Sequence, residues 1–118
     1  MKHNRHLFVY GLLKKGFNLN SNLKGFNYLG VGKLKDYDMF SCGYFPAIIE
    51  GVGVVVGEVY SCRTNDFNKL IKSVDIIESG YKRITQKVKV NDELIDCEVY
   101  IFNYKPIGWK FIDSGVFK

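Results

Sequence analysis

The chain has 118 residues, of which 47% are hydrophobic, 15% aromatic and 25% charged, which excludes a disordered chain and fits a single domain over residues 1–118. The net charge is +5, but the lysines are spread singly along the chain rather than gathered in a basic run. This distribution indicates solubility and a mild attraction for anions, and it disfavours nucleic-acid binding.

The chain contains three cysteines, Cys42, Cys62 and Cys97, and no pair has the C-x-x-C spacing. An odd number at such spacings argues against a disulfide framework and against a zinc site. The apolar stretch Leu7–Leu13 is short and contains a glycine, so it predicts neither a signal peptide nor a transmembrane span. We therefore expect a cytoplasmic protein with reduced thiols and no membrane association.

The first predicted strand, Leu7–Tyr10, stops at Gly11. Glycine permits a sharp turn, and the successive backbone N–H groups of such a turn can form a nest for a carboxylate or phosphate. An ordinary turn after a first strand is the alternative. The polar lead-in Met1–Arg5, with His3 and the neighbouring His6, is typical of a frayed terminus rather than of a histidine site.

The middle and end of the chain alternate between strand and turn patterns. Residues Leu12–Phe26 are predicted to be irregular, with a short helical turn near Asn20–Leu23. The motif Gly51-Val52-Gly53 precedes a strand instead of following one, which is the wrong order for a dinucleotide site. Strands are predicted over Tyr28–Lys35, Tyr37–Cys42, Ala47–Ile49, Val54–Cys62, Tyr81–Val90 and Leu94–Tyr104, with a turn at Gly43–Pro46 and a short last strand within Pro106–Lys118.

One segment, Thr64–Ile77, has apolar residues at helical spacing and is the one convincing helix. Thr64 or Asn65 can serve as its N-cap, Asp66 suits the positive end of the helix dipole, and Ser79-Gly80 ends it.

Glu78 follows this helix directly and is the candidate acid–base residue. Its apolar neighbours and the negative end of the helix dipole both raise the pKa of a carboxyl group, which would allow proton transfer near neutral pH. A surface glutamate at a helix end is the alternative. Asp75, Glu50 and Glu58 are weaker candidates, and Glu58 is expected to point outward from its strand.

Several segments in order resemble the γ-glutamylcyclotransferase family, including its AIG2-like members. The resemblance covers nearly the whole chain. It rests on Val9–Leu13 for the Y-G-x-L loop, Tyr44–Ile48 for y-P-A-i, Val56–Tyr60 for v-x-G-e-v-Y, Val74–Gly80 for L-D-x-x-E-G, Tyr81–Arg83 for Y-x-R and Val99–Phe102 for the closing strand.

This resemblance implies an α+β fold: a small mixed twisted sheet or barrel-like β core with one main helix. It also implies a cofactor-independent reaction in which a γ-glutamyl compound cyclises to 5-oxoproline and releases an amine or amino acid. The family's catalytic glutamate corresponds to Glu78, and its substrate loop to Tyr10, Gly11, Leu12 and Leu13.

Tyr81 and Tyr100 are expected either to line the pocket or to be ordinary core aromatic residues, and Arg83 either to pair with a carboxylate or to touch substrate. The chain departs from the family where Leu12 replaces a frequent threonine, where Ser79 precedes Gly80, and where the connection to Tyr81 is short. A non-catalytic module that binds a small anion or metabolite is the alternative function.

Overall fold

The computed structural model describes residues 3–118. Its elements are β1 (Asn4–Val9), a 3₁₀ turn (Asn20–Leu23), β2 (Asn27–Ser41), β3 (Pro46–Arg63), α1 (Thr64–Ile77), β4 (Tyr81–Val90), β5 (Glu93–Phe102) and β6 (Lys110–Ile112).

The strands form one mixed sheet that closes into a near-barrel ring. The order is β3-β1-β5-β4-β2-β6, and β2 also pairs with β3, so the first five strands of this order form the ring while β6 adds to β2. All pairings are antiparallel except that of β1 with β5, which runs parallel through Leu7↔Glu98 and Phe8↔Val99. The predicted α+β fold, with a barrel-like core and one main helix, is confirmed.

Two predicted breaks in the strands are wrong, and local backbone features explain both. Residue Asp36, with φ of 68°, lies where β2 changes register with β3, so a bulge and not a turn separates the two predicted halves of β2. Strand β3 runs through Gly51-Val52-Gly53, where Gly53 N–H donates to Asp38 Oδ1 at 3.0 Å. A Cβ at Gly51 would contact the same Asp38 carboxylate, so the glycines serve close approach rather than chain reversal.

The ends of other elements also differ from the predictions. Strand β1 begins at Asn4, which pairs with Arg63, so part of the supposed frayed lead-in belongs to the sheet; Met1 and Lys2 lie outside the described residues. The N-cap of α1 is Arg63, one position before the predicted Thr64, and its side chain makes no capping hydrogen bond. Strand β5 ends at Phe102 instead of Tyr104.

The core lies on both sides of the ring wall. One cluster fills the ring and includes Phe8, Val59 and Val99. The other lies between the ring and α1, which contributes Phe67, Ile71 and Val74 from its predicted apolar stripe. Within the described chain, α1 is too short and too polar to cross a bilayer, and the 3₁₀ turn is shorter still.

Candidate active site

A cavity of about 210 Å³ lies where β1 ends, between the following loop, the start of β3 and the C-terminal end of α1. Its walls are mainly apolar and aromatic, and Phe45, Pro46, Ile77 and Ser79 contribute to them. The cavity brings together all seven site residues predicted from sequence, namely Tyr10, Gly11, Leu12, Leu13, Glu78, Tyr81 and Tyr100.

Glu78 is the one Asp or Glu in the cavity lining. It is half-buried directly after the last residue of α1, and its N–H donates to Val74 O at 2.9 Å. Burial raises the pKa of its carboxyl to about 7. No ion pair to it is found among residues 3–118. At neutral pH such a carboxyl is present in both protonation states, as a group that accepts and returns a proton requires.

Three tyrosines surround this carboxyl group, and each hydroxyl already donates to the protein. Tyr10 bonds to Tyr100 O at 2.6 Å, Tyr81 to Pro46 O at 2.7 Å, and Tyr100 to Asp75 Oδ1 at 2.6 Å. Burial is the main cause of the raised pKa of all three phenols, and the charge of Glu78 adds to each. The rings therefore form cavity walls, while their hydroxyls tie those walls together.

The loop after β1 supplies backbone donors. Lys14 N–H donates to Gly11 O at 3.1 Å and closes a tight turn. Within the described part of the chain, the N–H groups of Gly11, Leu12 and Leu13 donate to no other residue. A Cβ on Gly11 would lie 2.8 Å from Pro46 Cγ, so only glycine lets the loop sit against the proline ring without displacing it. This arrangement leaves a row of N–H groups free to bind an anionic group.

Side chains whose contacts were not predicted from sequence hold this loop in place. Glu58 Oε1 accepts from Lys15 N–H at 2.9 Å and from the Tyr60 hydroxyl at 3.0 Å. Asn20 Nδ2 donates to Leu13 O at 2.7 Å and to Tyr60 Oη at 3.1 Å. Glu58, predicted to point outward from its strand, is partly covered by this loop and fixes it through the two hydrogen bonds that its carboxylate accepts.

A charged network lies behind Tyr100. Arg83 donates to Asp75 Oδ1 at 2.9 Å and to Glu98 Oε1 at 2.5 Å, which confirms carboxylate pairing as its role. Glu98 is buried and also accepts from Thr85 Oγ1. Its position inside an alternating strand pattern gave no sign of burial. Thr85 lies directly opposite it on β4, and Arg83 reaches it from the diagonal position two residues away. Asp75 supports the wall from behind, and Glu50 is exposed outside the cavity.

The described residues contain no cluster of histidine, cysteine or acidic side chains that could hold a metal ion. Cys42, Cys62 and Cys97 are free thiols.

Comparison with known proteins finds a matching family model and similar sequences and structures. The model of the family "Gamma-glutamyl cyclotransferase, AIG2-like" matches residues 7–118. The protein PH0828 of Pyrococcus horikoshii is 31% identical over 109 residues, which cover 92% of this chain and 87% of that protein. Its crystal structure has a TM-score of 0.75 at 29% identity and covers 96% of this chain and 89% of that chain.

Two further similarities extend across bacteria and mammals. The gamma-glutamylcyclotransferase family protein YtfP of Escherichia coli K12 is 24% identical over 109 residues, with 92% of each chain covered. The crystal structure of an AIG2-like protein from Mus musculus matches with a TM-score of 0.77 at 23% identity, covers 99% of this chain and 90% of that chain, and shows the same fold.

Proposed function

This chain belongs to the γ-glutamyl cyclotransferase, AIG2-like family, and we propose that it converts a γ-glutamyl compound into 5-oxoproline and a free amine or amino acid. The observation that carries the proposal is the half-buried Glu78 carboxyl, with a pKa of about 7, in the same cavity as a row of unpaired backbone N–H groups. One group suits proton transfer and the other suits a carboxylate.

The substrate binds with its α-carboxylate at the N–H groups of Gly11, Leu12 and Leu13. Anchoring this end and enclosing the side chain between aromatic walls holds the α-amine close to its own γ-carbonyl carbon. Orientation of this kind is the main requirement of an intramolecular reaction, because the two reacting groups already share one molecule.

Glu78 then transfers the proton in both directions. As the amine nitrogen bonds to the γ-carbonyl carbon, the ionised carboxyl accepts the proton that the nitrogen loses. As the bond between the γ-carbonyl carbon and the leaving nitrogen breaks, the protonated carboxyl donates that proton to the leaving nitrogen. The ring closes to 5-oxoproline and Glu78 returns to its ionised form, ready for the next turnover.

The direct test is release of 5-oxoproline, measured by mass spectrometry, from a panel of γ-glutamyl amino acids, γ-glutamyl amines and glutathione. We expect product from at least one compound and a loss of about 10²–10⁴-fold in kcat for Glu78→Gln, the usual contribution of a positioned acid–base group. Glu93→Gln, which changes an exposed carboxylate at the start of β5, is the matched control. Turnover that is equal in Glu78→Gln and the native protein would overturn the assignment.

A non-catalytic metabolite-binding module is the second candidate, because the free N–H groups of the loop would bind a carboxylate whether or not Glu78 transfers protons. This function predicts that a γ-glutamyl compound raises the melting temperature without any release of 5-oxoproline. It also predicts that Glu78→Gln leaves the dissociation constant unchanged.

A further inference from the structure

The cavity is too small for a whole substrate with a large leaving group. Its volume of about 210 Å³ is below the roughly 300–1,000 Å³ of pockets that enclose a drug-sized ligand. The γ-glutamyl part fits within it, and the substituent on the leaving nitrogen must extend through the mouth. What lies at the mouth therefore decides which leaving groups are favoured.

An aromatic surface extends outward from the cavity wall, and we call it the aromatic rim; its members are Phe45, Tyr81, Phe102, Tyr104 and Trp109. Phe45 and Tyr81 line the cavity itself. The Phe45 ring lies 5.5 Å from Trp109, and the Tyr81 ring lies 5.4 Å from Phe102. Phe102 in turn contacts both Trp109, at 5.1 Å, and Tyr104, at 6.1 Å.

The rim reaches solvent, so it is not simply part of the core. Phe45 is 39% exposed and Tyr104 is 70% exposed. The segment that carries Trp109 is fixed by a turn in which Trp109 N–H donates to Pro106 O at 3.2 Å. This aromatic surface is fixed, partly exposed and continuous with the cavity. It therefore offers stacking contacts to a planar substituent that extends out of the cavity mouth.

The rim itself carries no charged group, because its five members are all aromatic. The cavity lining contains no lysine, arginine or histidine, and Glu78 is its one acidic residue. Stacking on the rim therefore favours a leaving group with a planar ring over one with a flexible alkyl chain.

We propose that the aromatic rim is the leaving-group subsite and that the preferred substrates are γ-glutamyl conjugates of aromatic amines or aromatic amino acids. This inference rests on the proposed cyclotransferase function and specifies its substrate class. The rim would bind the ring of the leaving group in substrate and release it with the amine after cyclisation.

The test compares kcat/KM for γ-glutamyl-benzylamine, γ-glutamyl-methylamine and Nε-γ-glutamyl-lysine. We expect the benzylamine compound to be preferred, and Trp109→Ala to lower its kcat/KM by about five- to tenfold while the methylamine compound changes less than about twofold, as expected for one lost aromatic contact. Phe111→Ala is the matched control, since Phe111 is 49% exposed and packs on Phe40 outside the rim. Preference for the lysine compound, or equal losses for all three substrates, would overturn the inference.

A binding measurement keeps the two proposals separable. Trp109 is the only tryptophan of the chain, so its fluorescence in Glu78→Gln reports rim occupancy without turnover. We expect the benzylamine compound to change this emission and to bind at least about fivefold tighter than the methylamine compound. Equal affinities, or unchanged emission at saturation, would refute the subsite even if turnover is found. Absence of 5-oxoproline from every compound would refute the reaction alone. Tyr104→Ala provides a second, more exposed rim variant should Trp109→Ala fail to fold.

Discussion

Replacing Glu78 by glutamine should make the folded protein more stable at alkaline pH. Burial raises the pKa of the Glu78 carboxyl from an ordinary 4.5 to about 7. Between these two pH values the folded protein binds more protons than the unfolded chain, so the free energy of unfolding falls as the pH rises. Glutamine does not ionise, so the free energy of unfolding of the variant does not fall with pH for this reason.

The size of the effect follows from the pKa difference. At about 1.4 kcal/mol for each pH unit, ionising this carboxyl in the folded state costs about 3 kcal/mol once the pH exceeds 7. We expect the free energy of unfolding of Glu78→Gln to exceed that of the native protein by about that amount at pH 8. The two values should match closely at pH 4, where the carboxyl of the native protein is protonated in both the folded and the unfolded state.

Urea denaturation followed by tryptophan fluorescence, at intervals from pH 4 to pH 8.5, measures this difference. Other titrating groups are shared by the two proteins and cancel in the subtraction. Glu93→Gln is the control and should show a constant, small difference across the range, because Glu93 is exposed. A Glu78→Gln difference that does not grow between pH 5 and pH 8 would refute the argument that this carboxyl is destabilised by burial.

Three further outcomes follow from the site. The kcat/KM for 5-oxoproline release should fall at least about tenfold for each pH unit below about 7, because the cavity carboxyl must be ionised and the attacking α-amine must be neutral; a flat profile from pH 5 to pH 8 would contradict this. Gly11→Ala should lower kcat/KM about tenfold by moving the loop away from Pro46, whereas Gly30→Ala, whose added Cβ meets only an ordinary 3.5 Å contact, should not. Arg83→Gln should lower the free energy of unfolding by about 2–4 kcal/mol in urea titrations, because it removes the guanidinium closest to the buried Glu98 carboxylate and leaves the more distant Arg5 as its ion-pair partner. Lys87→Gln, in an exposed pair, should lower it by less than about 1 kcal/mol.

Local patterns were sufficient to predict the helix and the residues at its end. The apolar spacing of Thr64–Ile77 predicted its bounds, and the position of Glu78 after Ile77 predicted a raised pKa. The helix depends on neighbours in sequence, for which periodicity is informative. The raised pKa of Glu78 has burial as its cause, as its apolar neighbours predicted. The cavity lining followed from the family resemblance, since no local pattern could show that Tyr81 and Tyr100 meet the first loop.

Long-range contacts explain why the continuity of β3 and the role of Glu58 were not predicted from the sequence. The predicted strand broke at Gly51 and Gly53 because the Asp38 side chain that occupies their empty Cβ positions lies on a different strand. The contact of Glu58 with the first loop could not be predicted, because that loop is distant in sequence from β3. Burial of a polar side chain depends on which segment packs over it, and a single sequence does not contain that information.

The parallel pairing of β1 with β5 has a consequence for how the protein is made. The Tyr10 hydroxyl bonds to Tyr100 O across 90 residues of chain, so the two sides of the cavity meet only after nearly the whole polypeptide has been synthesised. Contacts this distant in sequence close large loops at an entropic cost and are associated with folding on a scale of roughly milliseconds to seconds. The cavity therefore forms together with the closed ring, and a shortened nascent chain that lacks β5 would hold its first loop and its carboxyl without a reaction site between them.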